Sequence, residues 1–87
     1  MKMIIVIVKD SDAEPVTQAL TTNDFRVTRI ASTGGFLRSG VVTLLIGVED
    51  ERVEAGIQVI RELLGESDTK ESRATLFVVP VQRFEQV

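Results

Sequence analysis

The segment Met3 to Val8, MIIVIV, is apolar at every position and rich in β-branched residues, which predicts a strand. After a polar turn, SDAEPVTQALTTNDF spaces Ala13, Val16, Ala19 and Leu20 along one helical face. Ser11 and Glu14 have the spacing of a capping box, and Pro15 falls in the first turn, where a missing N–H costs least. This helix should end near Thr22. RVTRIAS, from Arg26, is β-branched without clean alternation, and VVTLLIGV, Val41 to Val48, is again nearly unbroken apolar sequence. Joined by the short TGGFLRSG, these two strands should lie antiparallel as neighbours. Val53, Ile57, Ile60 and Leu64 then recur with helical spacing, with Asp50 placed to cap the helix and Gly65 where a left-handed residue ends one. GESDTKESR is a polar connector. ATLFVVPV is a last strand whose Pro80 belongs near its end or on an edge, because proline cannot donate to the ladder.

Strand, helix, strand, strand, helix, strand is the order of an α+β, ferredoxin-like βαββαβ sandwich, an antiparallel sheet with both helices on one face. No repeat or compositional break divides the chain, so residues 1–87 are expected to form one such domain. Three of the four strands are near-continuous apolar runs, as in sheets covered on both faces. Two helices on one face leave the other uncovered, and an apolar sheet face is an unusually large patch for a monomer. A homo-oligomer with its sheets packed inward is the expected solution.

Composition narrows the chemistry. The chain has no cysteine and no histidine, hence no disulfide, no soft-ligand metal site, no thiol nucleophile and no imidazole base. An enzyme is not expected. The first apolar run is too short to span a bilayer and no small-residue cleavage pattern follows, which predicts a cytoplasmic protein without a membrane partner. A net charge of −3 also argues against binding a nucleic acid polymer. The distribution differs from the total, since between Phe25 and Val48 the only charged side chains are Arg26, Arg29 and Arg38. A local anion site is compatible with that segment.

Its centre, Thr33 to Gly40, is the most distinctive part of the chain. Gly34 and Gly35 permit positive φ and close backbone approach, so that successive N–H groups could face a phosphate. Glycines at a hairpin tip serve turn geometry equally well. Phe36 offers a flat face for a purine, although Phe36 and Leu37 could instead fold back on their own sheet. Alternation along the second strand puts Arg26 and Thr28 on one face and Arg29 on the other.

MKMII.IV.D at the start, FR.T from Phe25 to Thr28, TGGFLR.G from Thr33 to Gly40, GV.D.RV from Gly47 to Val53 and the terminal TLFVVPV..F together resemble the PII-like cyclic di-AMP receptors, the PstA/DarA family. The resemblance runs in register through nearly the whole chain, and the Gly-Gly-Phe-Leu-Arg element is its most specific part. It implies a PII-like homotrimer that binds cyclic di-AMP in clefts between subunits, a receptor without a cofactor and not an enzyme. By position it implies ligand contacts from Arg26, Thr28, Gly35, Phe36, Leu37, Gly47 and Gln86. Such a sensor would also have a protein target that nothing in the sequence identifies. Three features depart from the family pattern. Asp24 and Val41 stand where asparagine is usual, and Gly65 to Arg73 replaces a long loop.

Three other functions fit the same topology. An oligomeric scaffold could dock proteins through the Phe36-Leu37 tip without any nucleotide. Acylphosphatases share the element order, but need an arginine loop after the first strand, and VKDSDAEP has no arginine. RNA recognition motifs need exposed aromatics on the central strands, which MIIVIV and VVTLLIGV lack.

Overall fold

The structure is a computed structural model and describes residues 1–30, 40–65 and 73–87. Strand β1 (Lys2–Lys9) leads directly into helix α1 (Asp10–Thr22), followed by β2 (Arg26–Ile30), β3 (Val41–Val48), a 3-10 turn (Asp50–Arg52), α2 (Val53–Leu64) and β4 (Ala74–Pro80). The sheet order is β2-β3-β1-β4, antiparallel throughout, which is the predicted ferredoxin-like arrangement. Pro80 is the last residue of an edge strand, where its missing donor breaks no ladder.

Period-two alternation divides the sheet. On the helix side Ile4, Val6 and Val8 of β1 and Val42, Leu44, Ile46 and Val48 of β3 are buried against Ala13, Val16 and Leu20 of α1 and Ile60 and Leu64 of α2. Gly56 is a core position that hydrophobic spacing does not reveal. A Cβ there would meet Ile4 Cδ1 at 3.2 Å and Phe25 Cε1 at 3.3 Å, so the absent side chain is what lets α2 lie this close to the sheet. Gly56→Leu is therefore expected to destabilise the fold by about 1–3 kcal/mol despite the better helix propensity of leucine. A thermal melt at or above the wild-type midpoint would contradict this account of the packing.

The opposite face carries three cross-strand rows. The register aligns Arg26, Gly47, Met3 and Val79, then Thr28, Leu45, Ile5 and Phe77, then Ile30, Thr43, Ile7 and Thr75. No helix covers these positions. Phe77 is 52% exposed and Ile30 42%, while Met3, Ile5, Ile7, Leu45 and Val79 are half-buried. The uncovered apolar face expected from the strand composition is present. Among the described residues no helix is long and apolar enough to cross a membrane.

Two predicted caps are corrected. Helix α1 starts at Asp10, with Lys9 at its N-cap and no side-chain cap, so Ser11 lies inside the first turn and the capping box does not form. The Asp10 amide instead donates to the Gly40 carbonyl at 2.7 Å, which carries the β1–β3 pairing to the first helical residue and leaves no room for a cap residue. Asp50 does not cap α2 either. It opens the 3-10 turn, and its carboxylate lies 3.1 Å from the Met1 ammonium. That hydrogen bond, and then the ammonium charge, hold the Asp50 carboxyl below its ordinary range. Gly65 does follow α2 with positive φ, 71°, as its position predicted.

Candidate functional site

The site begins at the corner between α1 and β2. Helix α1 ends in a Schellman motif, in which the Asp24 amide donates to the Thr21 carbonyl and the Phe25 amide to the Leu20 carbonyl, both at 3.0 Å. Asp24 occupies the left-handed position with φ 66°, which aspartate and asparagine tolerate better than other residues with a side chain. Phe25, on the far side of the turn, is buried and packs into the core. The next residue is Arg26. Alternation from the anchored Phe25 sends Arg26 and Thr28 to the uncovered face, and Arg29 to the helix side, where it pairs with Asp10 at 3.3 Å and Glu14 at 3.7 Å.

Arg26 and Thr28 open onto a cavity of about 360 Å3, lined also by Met1, Met3, Leu45, Gly47, Val81, Phe84 and Gln86. It lies at one end of the uncovered face, over the first two cross-strand rows. Its walls are held by contacts outside the sheet ladder. The Val81 amide donates to the Met1 carbonyl at 3.1 Å, and the Met1 ammonium reaches Asp50, so the chain after β4 is tied to the start of β1. Arg26 makes no ion pair among the described residues. Gly47 sits between Arg26 and Met3 in the first row, and a Cβ built there meets nothing within 4 Å. Neither packing nor backbone conformation requires glycine at that position. What it leaves is open volume.

Four of the seven residues singled out from the sequence, Arg26, Thr28, Gly47 and Gln86, thus line one cavity. Gly35, Phe36 and Leu37 lie outside the described residues, as does Arg38. Of the two residues that stand where the family has asparagine, Asp24 does not line this cavity but lines a smaller one beside it. Val41 starts β3, six residues from Gly47, or about 20 Å at ~3.4 Å per residue. Residues 31–39 likewise join the sheet at Ile30 and Gly40, the end opposite the cavity. The residues that the sequence does not single out are the apolar lining and Phe84, which is 64% exposed and lines the same space. Phe84 belongs to the terminal TLFVVPV..F motif, but its place on the same cavity as Arg26 depends on how the chain after β4 lies against β1, which no periodicity reports.

A second cavity, about 250 Å3, lies between α2 and β4 and is lined by Ile57, Ile60, Leu64, Ala74 and Leu76 with Arg61, Gly65 and Arg73. It is the weaker anion site of the two. The Arg73 guanidinium is committed to the Leu64 carbonyl and the Asp12 carboxylate.

The chain is similar to known proteins along most of its length. Residues 1–70 match the family model for the cyclic-di-AMP receptor. The matched residues include Arg26, Thr28 and Gly47 and stop short of Val81, Phe84 and Gln86. A crystal structure of a functionally unknown protein from Pediococcus pentosaceus ATCC 25745 is 35% identical in sequence, with a TM-score of 0.77 over 99% of this chain and 96% of that one. The two chains are therefore of closely similar length. The family match spans well over half of the sequence, and it follows that this chain belongs to the cyclic-di-AMP receptor family.

Proposed function

We propose that this protein is a cytoplasmic PII-like sensor, not an enzyme, which binds cyclic di-AMP in clefts between the subunits of a homotrimer. One observation carries the reading: a guanidinium without an ion pair among the described residues, a hydroxyl, an amide side chain and an exposed phenyl ring converge on one cavity at the end of an uncovered apolar sheet. Each group suits a part of an adenine dinucleotide. Arg26 can give a phosphate two parallel N–H bonds. Thr28 adds a hydroxyl donor, and Gln86 has the donor and acceptor needed for a base edge. Phe84 supplies a face for a purine, a stacking contact worth about 1–3 kcal/mol per base.

The trimer is supported by the same geometry. The cavity hangs from the Arg26 end of β2, whereas Gly35, Phe36 and Leu37 belong to a segment that joins the sheet at Ile30 and Gly40. In a ring of copies packed through their uncovered faces, the second group would come to the cavity from the neighbouring subunit. Those three residues are proposed on their sequence alone. A downstream protein target completes the sensor.

Titration calorimetry against cyclic di-AMP, cyclic di-GMP, ATP and AMP tests the reading. Binding of cyclic di-AMP with one site per protomer is expected, and Arg26→Ala should weaken it about tenfold or more, the loss of a charge-assisted pair. Silence with all four nucleotides would defeat the proposal. Preference for a different nucleotide would replace the ligand and keep the site.

A further inference from the structure

We propose that Arg52 is a positioning residue for this site, acting through Arg26; the inference rests on the cavity at Arg26 being the nucleotide site. Arg52 lies in the 3-10 turn, away from the large cavity, and closes the corner from which Arg26 emerges. Its guanidinium donates to the Asn23 carbonyl at 3.0 Å and to the Asp24 carbonyl at 3.3 Å, and stands 4.1 Å above the Phe25 ring. Carbonyls at a helix C-terminus lack intrahelical donors, and a cation there also suits the helix dipole. One side chain thereby holds residues 23, 24 and 25 in succession. The next residue is Arg26.

A smaller cavity of about 210 Å3 gives this clamp a second effect. It is lined by Met1, Asp24, Phe25, Arg26, Gly47, Val48, Glu49 and Arg52, and shares Met1, Arg26 and Gly47 with the larger one. Arg26 therefore stands on the wall between two spaces. The smaller contains two carboxylate-bearing residues, Asp24 and Glu49, which would attract the Arg26 guanidinium away from a ligand. The Met1 ammonium on the same wall is paired with Asp50, which leaves Arg52 as the side-chain cation that offsets them. Remove it, and the smaller cavity becomes a net acidic trap for Arg26 while the corner loses its clamp.

The test is a double-mutant cycle read by calorimetry with cyclic di-AMP. Arg52→Ala should weaken binding about tenfold, comparable to losing a hydrogen bond to a charged group. In an Arg26→Ala background the same change should cost nothing further, since nothing is left to position. Adding Glu49→Gln to Arg52→Ala should restore part of the affinity. Arg52→Lys keeps the charge without the two-carbonyl fork and should fall between. In the ligand-free protein, Arg52→Ala should shift the Arg26 Nε–Hε resonance while the amides of Ile4 and Leu44 stay in place. Wild-type affinity in Arg52→Ala, or equal losses with and without Arg26, overturns the proposal and leaves the site standing. If the wild-type protein binds none of the four nucleotides, the site and the positioning role fall together.

Discussion

Gly47→Leu is expected to lower nucleotide affinity by about a hundredfold or more while the free protein melts at or above its usual temperature. The two halves of this expectation come from one fact. A Cβ at position 47 meets no atom within 4 Å, so the fold leaves space for a side chain to start there, and a strand gains from a residue with more β-propensity than glycine. The same side chain would project between Arg26 and Met3 into the space that a ligand must fill. Mutations at core glycines behave differently, because there the lost function follows lost stability. Calorimetry paired with a thermal melt separates the cases. Undiminished binding by a well-folded Gly47→Leu protein would place the nucleotide elsewhere.

The second large effect concerns assembly. At micromolar concentration the protein should sediment as a trimer, and Phe77→Glu together with Ile30→Glu should reduce it to protomers. Both residues are substantially exposed in the single chain, so the substitutions cost the isolated fold little. Buried against another copy without a partner, each new carboxylate would cost on the order of 3–5 kcal/mol, repeated at every contact of a closed ring. If the proposed cleft is shared, nucleotide binding should fall with the trimer, because the cavity at Arg26 would lose what a neighbour is proposed to bring. A wild-type protein that sediments as a folded protomer would remove the shared cleft.

Much of this architecture could be read from hydrophobic spacing. The strands at Met3 to Val8 and Val41 to Val48 and the helix carrying Ile60 and Leu64 depend on burial that repeats with a fixed period, and all three lie where that period puts them. Arg26 could be separated from Arg29 on the same ground. The failures share a different cause. Ser11 and Asp50 were assigned to caps from local spacing, but the Asp10 amide was taken by Gly40, and the Asp50 carboxylate by the chain's own ammonium. Both competitors come from distant sequence. Gly56, Phe84 and Arg52 were missed for the same reason, since each matters through a neighbour tens of residues away: Ile4, Met1 by way of Val81, and Asn23.

The connector after α2 is no accident of this one sequence. A protein 35% identical matches over 96% of its own length, which leaves no room there for a long extra arm.

The bend at Asp24 carries a consequence for how such a pocket can be tuned. A backbone held at φ 66° admits few residue types, chiefly glycine, asparagine and aspartate. Exchanging the latter two alters charge and almost nothing else, because shape and turn are retained. Affinity for anions can thus drift up or down across descendants of this chain by a one-atom swap, with the scaffold left untouched.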